Sequence, residues 1–166
     1  LLVNMERFPS WGETITVRTW PRGLEGLLAL RDFEVLDDQG TRIGAAASQW
    51  LILDAQTRKP QPAMIVRDIL PLVTSEPVMD EQPEKIHIHD PLPFQYTVKA
   101  RYGDIDMYQH VNNTRYLQWT LNLFPEEQLR TRHLSMMMIE FLNESRLGDE
   151  INLFGDPSTN PSFARG

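Results

Sequence analysis

Cysteine is absent from the 166 residues, which removes disulfide frameworks, thiolate metal sites and cysteine nucleophiles together. A reducing compartment is thereby permitted, and the cytoplasm is the expected location. Long apolar runs are missing as well. Stretches such as 50–53 and 136–139 are the longest, far below the roughly 18 residues that a membrane-spanning helix needs. Positive charge is scarce: 16 Lys and Arg stand against 23 Asp and Glu, for a net charge of -7. Such a chain lacks the field that draws proteins to phosphate backbones, so nucleic acid is not an expected partner. There is no initiator Met, no charged leader and no long leader-type apolar run before Trp11, so no secretory signal is read, and the chain is expected not to start where the natural protein does. What is present is ordinary for a packed domain: 41% hydrophobic residues, including 7 Phe, 4 Trp and 4 Tyr.

Charge and pattern divide the chain. Residues 1–70 carry a net charge of -1 and residues 71–166 a net charge of -6. From Trp11 to Trp20, Ile15, Val17 and Thr19 alternate with Thr14, Thr16 and Arg18, the period-2 signature of a half-buried strand. Pro21 and Gly23 punctuate, a second strand is predicted over 27–36, and Asp37-Asp38-Gln39-Gly40 supplies a turn. A third strand follows from Ile43 to Leu53, giving an antiparallel meander. Seven prolines between Pro60 and Pro93 read as an extended connector with one short helix over 63–70. Beyond it the pattern predicts a strand at 94–102, a buried helix at 112–124 capped by Asn112 or Asn113, a helix start at Pro125, and strands at 135–142 and 150–154. Met136-Met137-Met138 is expected as ordinary core. Residues 156–166 read as a tail.

The densest polar constellation is Asp104-Ile105-Asp106-Met107-Tyr108-Gln109-His110-Val111-Asn112-Asn113, at the junction of a strand and the buried helix. A helix start offers unpaired N–H groups and a partial positive charge, which suit a carbonyl oxygen that turns anionic in acyl transfer. The same residues equally make a turn and a helix cap with no chemistry, and spacing alone leaves both readings open. His87-Ile88-His89-Asp90 places two imidazoles on one extended face, but without further ligands at a metal-site spacing it reads as solvated linker. Ser48 does not sit in a Gly-x-Ser-x-Gly elbow.

The run from Asp106 through His110, Asn112-Asn113, Tyr116 and Trp119 resembles the motif before and along the central helix of hotdog-fold thioesterases, in particular the acyl-acyl carrier protein (acyl-ACP) thioesterases of plants and bacteria. Thr19-Trp20-Pro21, Arg31-Asp32-Phe33, Gly40, Ser48-Gln49-Trp50 and Thr57-Arg58 resemble the later strands of that family's first hotdog. The resemblance implies an α+β tandem hotdog, each half a curved antiparallel sheet around a helix. It implies residues 1–59 as a partial first hotdog of strands only, 60–93 as connector, 94–155 as a truncated second hotdog and 156–166 as tail. It also implies that the chain is a fragment, with neither the opening strand nor the central helix of the first half before Trp11.

By the same resemblance the catalytic residues are Asp106, His110 and Glu144, the last in Glu140-Phe-Leu-Asn-Glu144-Ser145. Tyr108, Asn112 and Asn113 would contact substrate, and no cofactor or metal is expected. The chain departs from the plant pattern at Tyr108, where the family has Asn, and at Ser145, where many plant members have Cys. Tyr108 would substitute through its hydroxyl, or helix N–H groups would hold the oxygen instead. The implied activity is hydrolysis of fatty acyl-ACP thioesters, with an acyl-CoA hotdog thioesterase and a non-catalytic acyl-binding fragment as alternatives. The implied partner is an acidic carrier protein, met by Arg18, Arg22, Arg58, Lys59 and Arg67. Strand faces left bare would be covered by a homodimer or by missing parts.

Overall fold

The computed structural model describes residues 1–73, 76–157 and 164–165. The chain forms two compact units, residues 1–86 with 134–140, and residues 87–133 with 141–166. The expected connector is thus divided, 60–86 belonging to the first unit and 87–93 to the second.

The first unit is a five-stranded sheet in the order β2-β3-β4-β1-β6, made of β1 (Leu2–Met5), β2 (Thr16–Glu25), β3 (Leu28–Leu36), β4 (Arg42–Leu51) and β6 (Met136–Met138). The meander of β2, β3 and β4 is antiparallel throughout, as the alternation predicts. The unit departs from expectation in several places: the helix expected over 63–70 is a 3-10 turn at Ala63–Val66, and the strand expected over 135–142 is reduced to Met136–Met138. The strand expected to end at Trp20 continues through Pro21 to Glu25, because β2 lies at the sheet edge and a register shift between Pro21 and Gly23 absorbs the irregularity. A strand does precede Trp11: Leu2–Met5 pairs with β4, Leu2 opposite Ala47 and Met5 opposite Gly44. At Gly44 a Cβ would run into the end of the Met5 side chain and come close to the Asn4 carbonyl oxygen, so a larger residue here would oblige the flexible methionine to move aside. The methionine run is a short edge strand rather than core, with Met136 and Met138 exposed, since an edge strand lacks a neighbour on one side.

One face of this sheet is crossed by the acidic, proline-bearing segment 78–83, and the ties are polar. Asp32, fully buried in β3, pairs with Arg22 at 3.1 Å and accepts a hydrogen bond from the Val78 N–H. Arg22 also donates to Gln82 Oε1, and Gln49 donates to the Pro83 carbonyl. Pro83 is buried and Val78 and Met79 are half-buried, while Asp80 and Glu81 stay exposed, so polar ties and apolar burial hold the segment together.

The second unit carries β5 (Phe94–Lys99), α1 (Asn113–Leu121), α2 (Glu126–Thr131), β7 (Glu150–Gly155) and β8 (Ala164–Arg165), the three strands pairing in the order β5-β7-β8. Two residues of the expected tail therefore pair, through Phe154–Arg165 and Gly155–Ala164; residues 158–163 and 166 lie outside the described residues. The core is one cluster of Ala100, Val111, Trp119, Ile151 and Leu153, with Tyr96, Val98, Ile105, Tyr116 and Leu123 against it. Helix α1 contributes Trp119, and the alternating burial of β7 contributes Ile151 and Leu153. Tyr96 fastens the helix: its hydroxyl donates to the Trp119 carbonyl at 2.5 Å. Burial raises this phenol above its ordinary value, with a hydrogen bond to Asn122 acting against the shift, so the donor proton stays in place.

Candidate active site

After a short 3-10 turn at Tyr102–Asp104, Ile105 and Val111 form an isolated antiparallel bridge that closes the loop between them. Inside it the chain reverses on Asp106. One carboxylate oxygen of Asp106 accepts from the N–H of Tyr108 at 2.8 Å and of His110 at 3.3 Å. Its own N–H donates to the His110 carbonyl at 2.8 Å. Gln109 takes up the reversal in the left-handed region, with φ of 66°. An Asp is suited to this turn because a short acceptor side chain can reach N–H groups two and four residues on.

His110 leaves the turn with its side chain a quarter exposed, and its Nε2 lies 3.1 Å from Glu144 Oε2, a carboxylate 44% exposed. Glu144 arrives from a segment 34 residues downstream, and a backbone bond from the Val111 N–H to the Ser145 carbonyl, 2.7 Å long, sets that segment beside the loop. Both members of the pair are thus positioned by main-chain bonds at their immediate neighbours, Val111 and Ser145. The imidazole can pass a proton to or from the carboxylate at this distance. Asp106 holds His110 through its backbone N–H.

Asn112 caps α1. Its Oδ1 accepts from the Thr114 N–H at 2.9 Å and the Thr114 hydroxyl at 2.7 Å. Its carbonyl takes the Arg115 N–H, so two N–H groups of the helix start are already committed. Asn113 is the first residue of α1 and exposed, and Tyr108 is exposed on the turn. The six expected site residues therefore fall on one loop, one helix start and one facing segment. Asp106, His110 and Glu144 are joined by contacts, and Tyr108 joins them through its backbone. Sequence reading passed over Arg115, which donates to the Gly103 carbonyl at 2.7 Å and lies 3.4 Å from Asp104. Its signal was an arginine three residues past a helix cap, with an aspartate in the 3-10 turn that precedes the loop.

Among the described residues no group of three or more His, Asp or Glu side chains is arranged to hold a metal ion. No helix among them is long and apolar enough to cross a membrane. Of the basic residues expected to meet a carrier protein, Arg22 is withdrawn, because it is largely buried in its pair with Asp32. Arg18 lies 3.8 Å from Glu34 and stays mostly exposed.

A helix laid on an antiparallel sheet, with an imidazole–carboxylate pair at the helix start, defines a chain of the hotdog class. The chain belongs to the acyl-ACP thioesterase family: residues 1–71 match the model described as the acyl-ACP thioesterase N-terminal domain, and residues 90–162 match that described as the C-terminal domain. It is 33% identical over 151 residues to a chloroplastic acyl-acyl-carrier-protein hydrolase of Cuphea viscosissima, covering 86% of this chain and 36% of that relative. An oleoyl-acyl carrier protein thioesterase of Arabidopsis thaliana is 29% identical over 162 residues, covering 90% and 44%. The crystal structure of an acyl-ACP thioesterase from Bacteroides thetaiotaomicron superposes with a TM-score of 0.81 at 32% identity, covering 95% of this chain and 64% of that one. The chain thus spans between a third and a half of the length of these curated relatives.

Proposed function

We propose that the protein hydrolyses fatty acyl-ACP thioesters to free fatty acid and the carrier thiol. The observation that carries this reading is the 3.1 Å contact of His110 Nε2 with Glu144 Oε2 at the start of α1, in a chain of the acyl-ACP thioesterase family. Glu144 takes a proton from water as the water oxygen bonds to the thioester carbon, and hands that proton to His110 Nε2 across the 3.1 Å contact. The C–S bond then breaks, and His110 passes the proton to the departing sulfur. Asp106 keeps His110 in place through the turn. Because the Thr114 and Arg115 N–H groups serve the helix cap and first turn, the Tyr108 hydroxyl is assigned to the oxyanion, with the positive end of α1 adding to it. Asn112 and Asn113 shape the same rim, and the partner is an acidic carrier protein.

The exposed apolar side chains of the first sheet, Val17, Trp50 and Leu51 among them, favour a homodimer, which a monomeric sedimentation profile at assay concentration would remove. The function is tested by hydrolysis rates of the purified protein on ACP and CoA thioesters of the same acyl chain. Faster turnover of the carrier-protein thioester is expected; preference for the CoA thioester would transfer the reading to an acyl-CoA thioesterase, and no turnover on either would end it.

A further inference from the structure

The loop from Arg101 to Asn112 has little apolar burial to hold it. Tyr102, Met107 and Tyr108 are all exposed, and Val111 is its one fully buried side chain. Val111 and Ile105 anchor it at the core, and polar ties that converge on Asp104 hold the rest. The Asp104 N–H donates to the Arg101 carbonyl at 2.9 Å, its Oδ2 accepts from the Arg101 N–H at 2.8 Å, and its carbonyl accepts from the Asn112 N–H at 2.8 Å. These bonds fix the loop's internal shape. The side chain that fastens its entry limb to the helix is Arg115, in the first turn of α1. Its guanidinium makes three contacts: Nη2 donates to the Gly103 carbonyl at 2.7 Å, Nε lies 3.4 Å from Asp104 Oδ1, and Nη1 donates to Gln118 Oε1 at 2.7 Å. A planar fork can meet a carbonyl, a carboxylate and an amide at once, which an ammonium cannot.

We propose that Arg115 is a positioning residue for the candidate site: it clamps Gly103 and Asp104 to α1, so that the Asp106 turn presents His110 to Glu144. The proposal rests on the thioesterase reading for its kinetic consequence, but the clamp itself is a structural claim with its own readout. Displacing one limb of the loop moves the Asp106 turn and with it His110, and a catalytic group shifted by about 1 Å loses rate steeply.

The test uses the 166-residue protein with Arg115→Gln, Arg115→Lys, His110→Ala and the double variant Arg115→Gln/His110→Ala. Amide hydrogen exchange is read at Asn112 and Val111 against Ile151 and Leu153 in β7, and kcat and KM are read on an acyl-ACP thioester. In Arg115→Gln, protection at Asn112 and Val111 is expected to fall by about tenfold with β7 unchanged. Turnover kcat is expected to fall by about tenfold with KM nearly constant. Arg115→Lys, which keeps the charge and the fold, should recover part of both. The double variant should be no slower than His110→Ala alone, because Arg115 acts through His110. Unchanged protection in both Arg115 variants overturns the clamp, whether or not the wild type turns over substrate. Losses that multiply in the double variant, or a change confined to KM, overturn its action on His110. A wild type without hydrolysis defeats the thioesterase reading, and exchange then decides the clamp by itself.

Discussion

At the scale of single residues, Asp106 is the position where geometry sharpens the resemblance. Its carboxylate accepts the N–H groups of Tyr108 and His110, which makes acceptor capacity, rather than charge, the property the turn needs. Asp106→Asn keeps an acceptor oxygen and should retain most of the activity, whereas Asp106→Ala frees both N–H groups and should lower kcat by at least about tenfold. Steady-state kinetics on both variants checks this; equal losses would mean that the charge itself acts. Tyr108 stands where the plant pattern has Asn, and its proposed role is to donate to the oxyanion. Tyr108→Phe should lower kcat by about a hundredfold with little change in KM, the size seen when one such donor is lost. Undiminished turnover would return the oxyanion to backbone groups. The sequence made Asp106, His110 and Glu144 legible as residue types in a motif, yet it could not place Glu144 against His110. That contact depends on a backbone bond between Val111 and Ser145, and backbone pairing of distant segments leaves no side-chain pattern to read.

At the scale of elements, alternation and turn residues were enough for β2, β3 and β4, and a cap followed by a 3.6-residue stripe was enough for α1. What escaped was decided by neighbours. Pro21 looked like a strand end because proline removes a donor, but an edge strand has donors to spare. Leu2–Met5 showed too short a pattern to stand alone and forms because β4 and β6 flank it. Segment 78–83 read as connector and lies on the sheet because a buried charge receives it. That charge gives an element-scale prediction. Asp32→Ala leaves the largely buried Arg22 without its carboxylate and should cost about 3–5 kcal/mol, while cutting the tie at Val78. Denaturant unfolding should register the loss, and limited proteolysis should find 78–83 newly cleaved. A variant within about 1 kcal/mol of wild type, with no new cleavage, would mean that the segment is held by other contacts.

At the scale of the whole molecule, stability should depend on acid through the surface network of the first unit. Arg7 meets Glu13 at 2.6 Å and Asp37 at 3.0 Å. The Arg7 hydrogen bond, followed by the Ser10 N–H, holds Glu13 below its ordinary 4.5; the Thr41 N–H, then Arg7, holds Asp37 below 3.8. Depressed carboxylate values stabilise the fold above the unfolded-chain values, and that contribution drains away as pH falls through the lower folded ones. Arg7→Ala should therefore lower the thermal midpoint at pH 7 and leave it nearly unchanged near pH 2, as measured by circular dichroism melts. An equal drop at both pH values would show that Arg7 acts by packing. The same scale holds the central claim, that the imidazole–carboxylate pair at the start of α1 hydrolyses a carrier-bound thioester. The most direct measurement is free fatty acid released from an acyl-ACP thioester by the wild type and by Glu144→Gln, with matched melting curves. Release by the wild type, with at least about a hundredfold less from an equally folded variant, is the predicted result; near-normal release by Glu144→Gln would contradict the account.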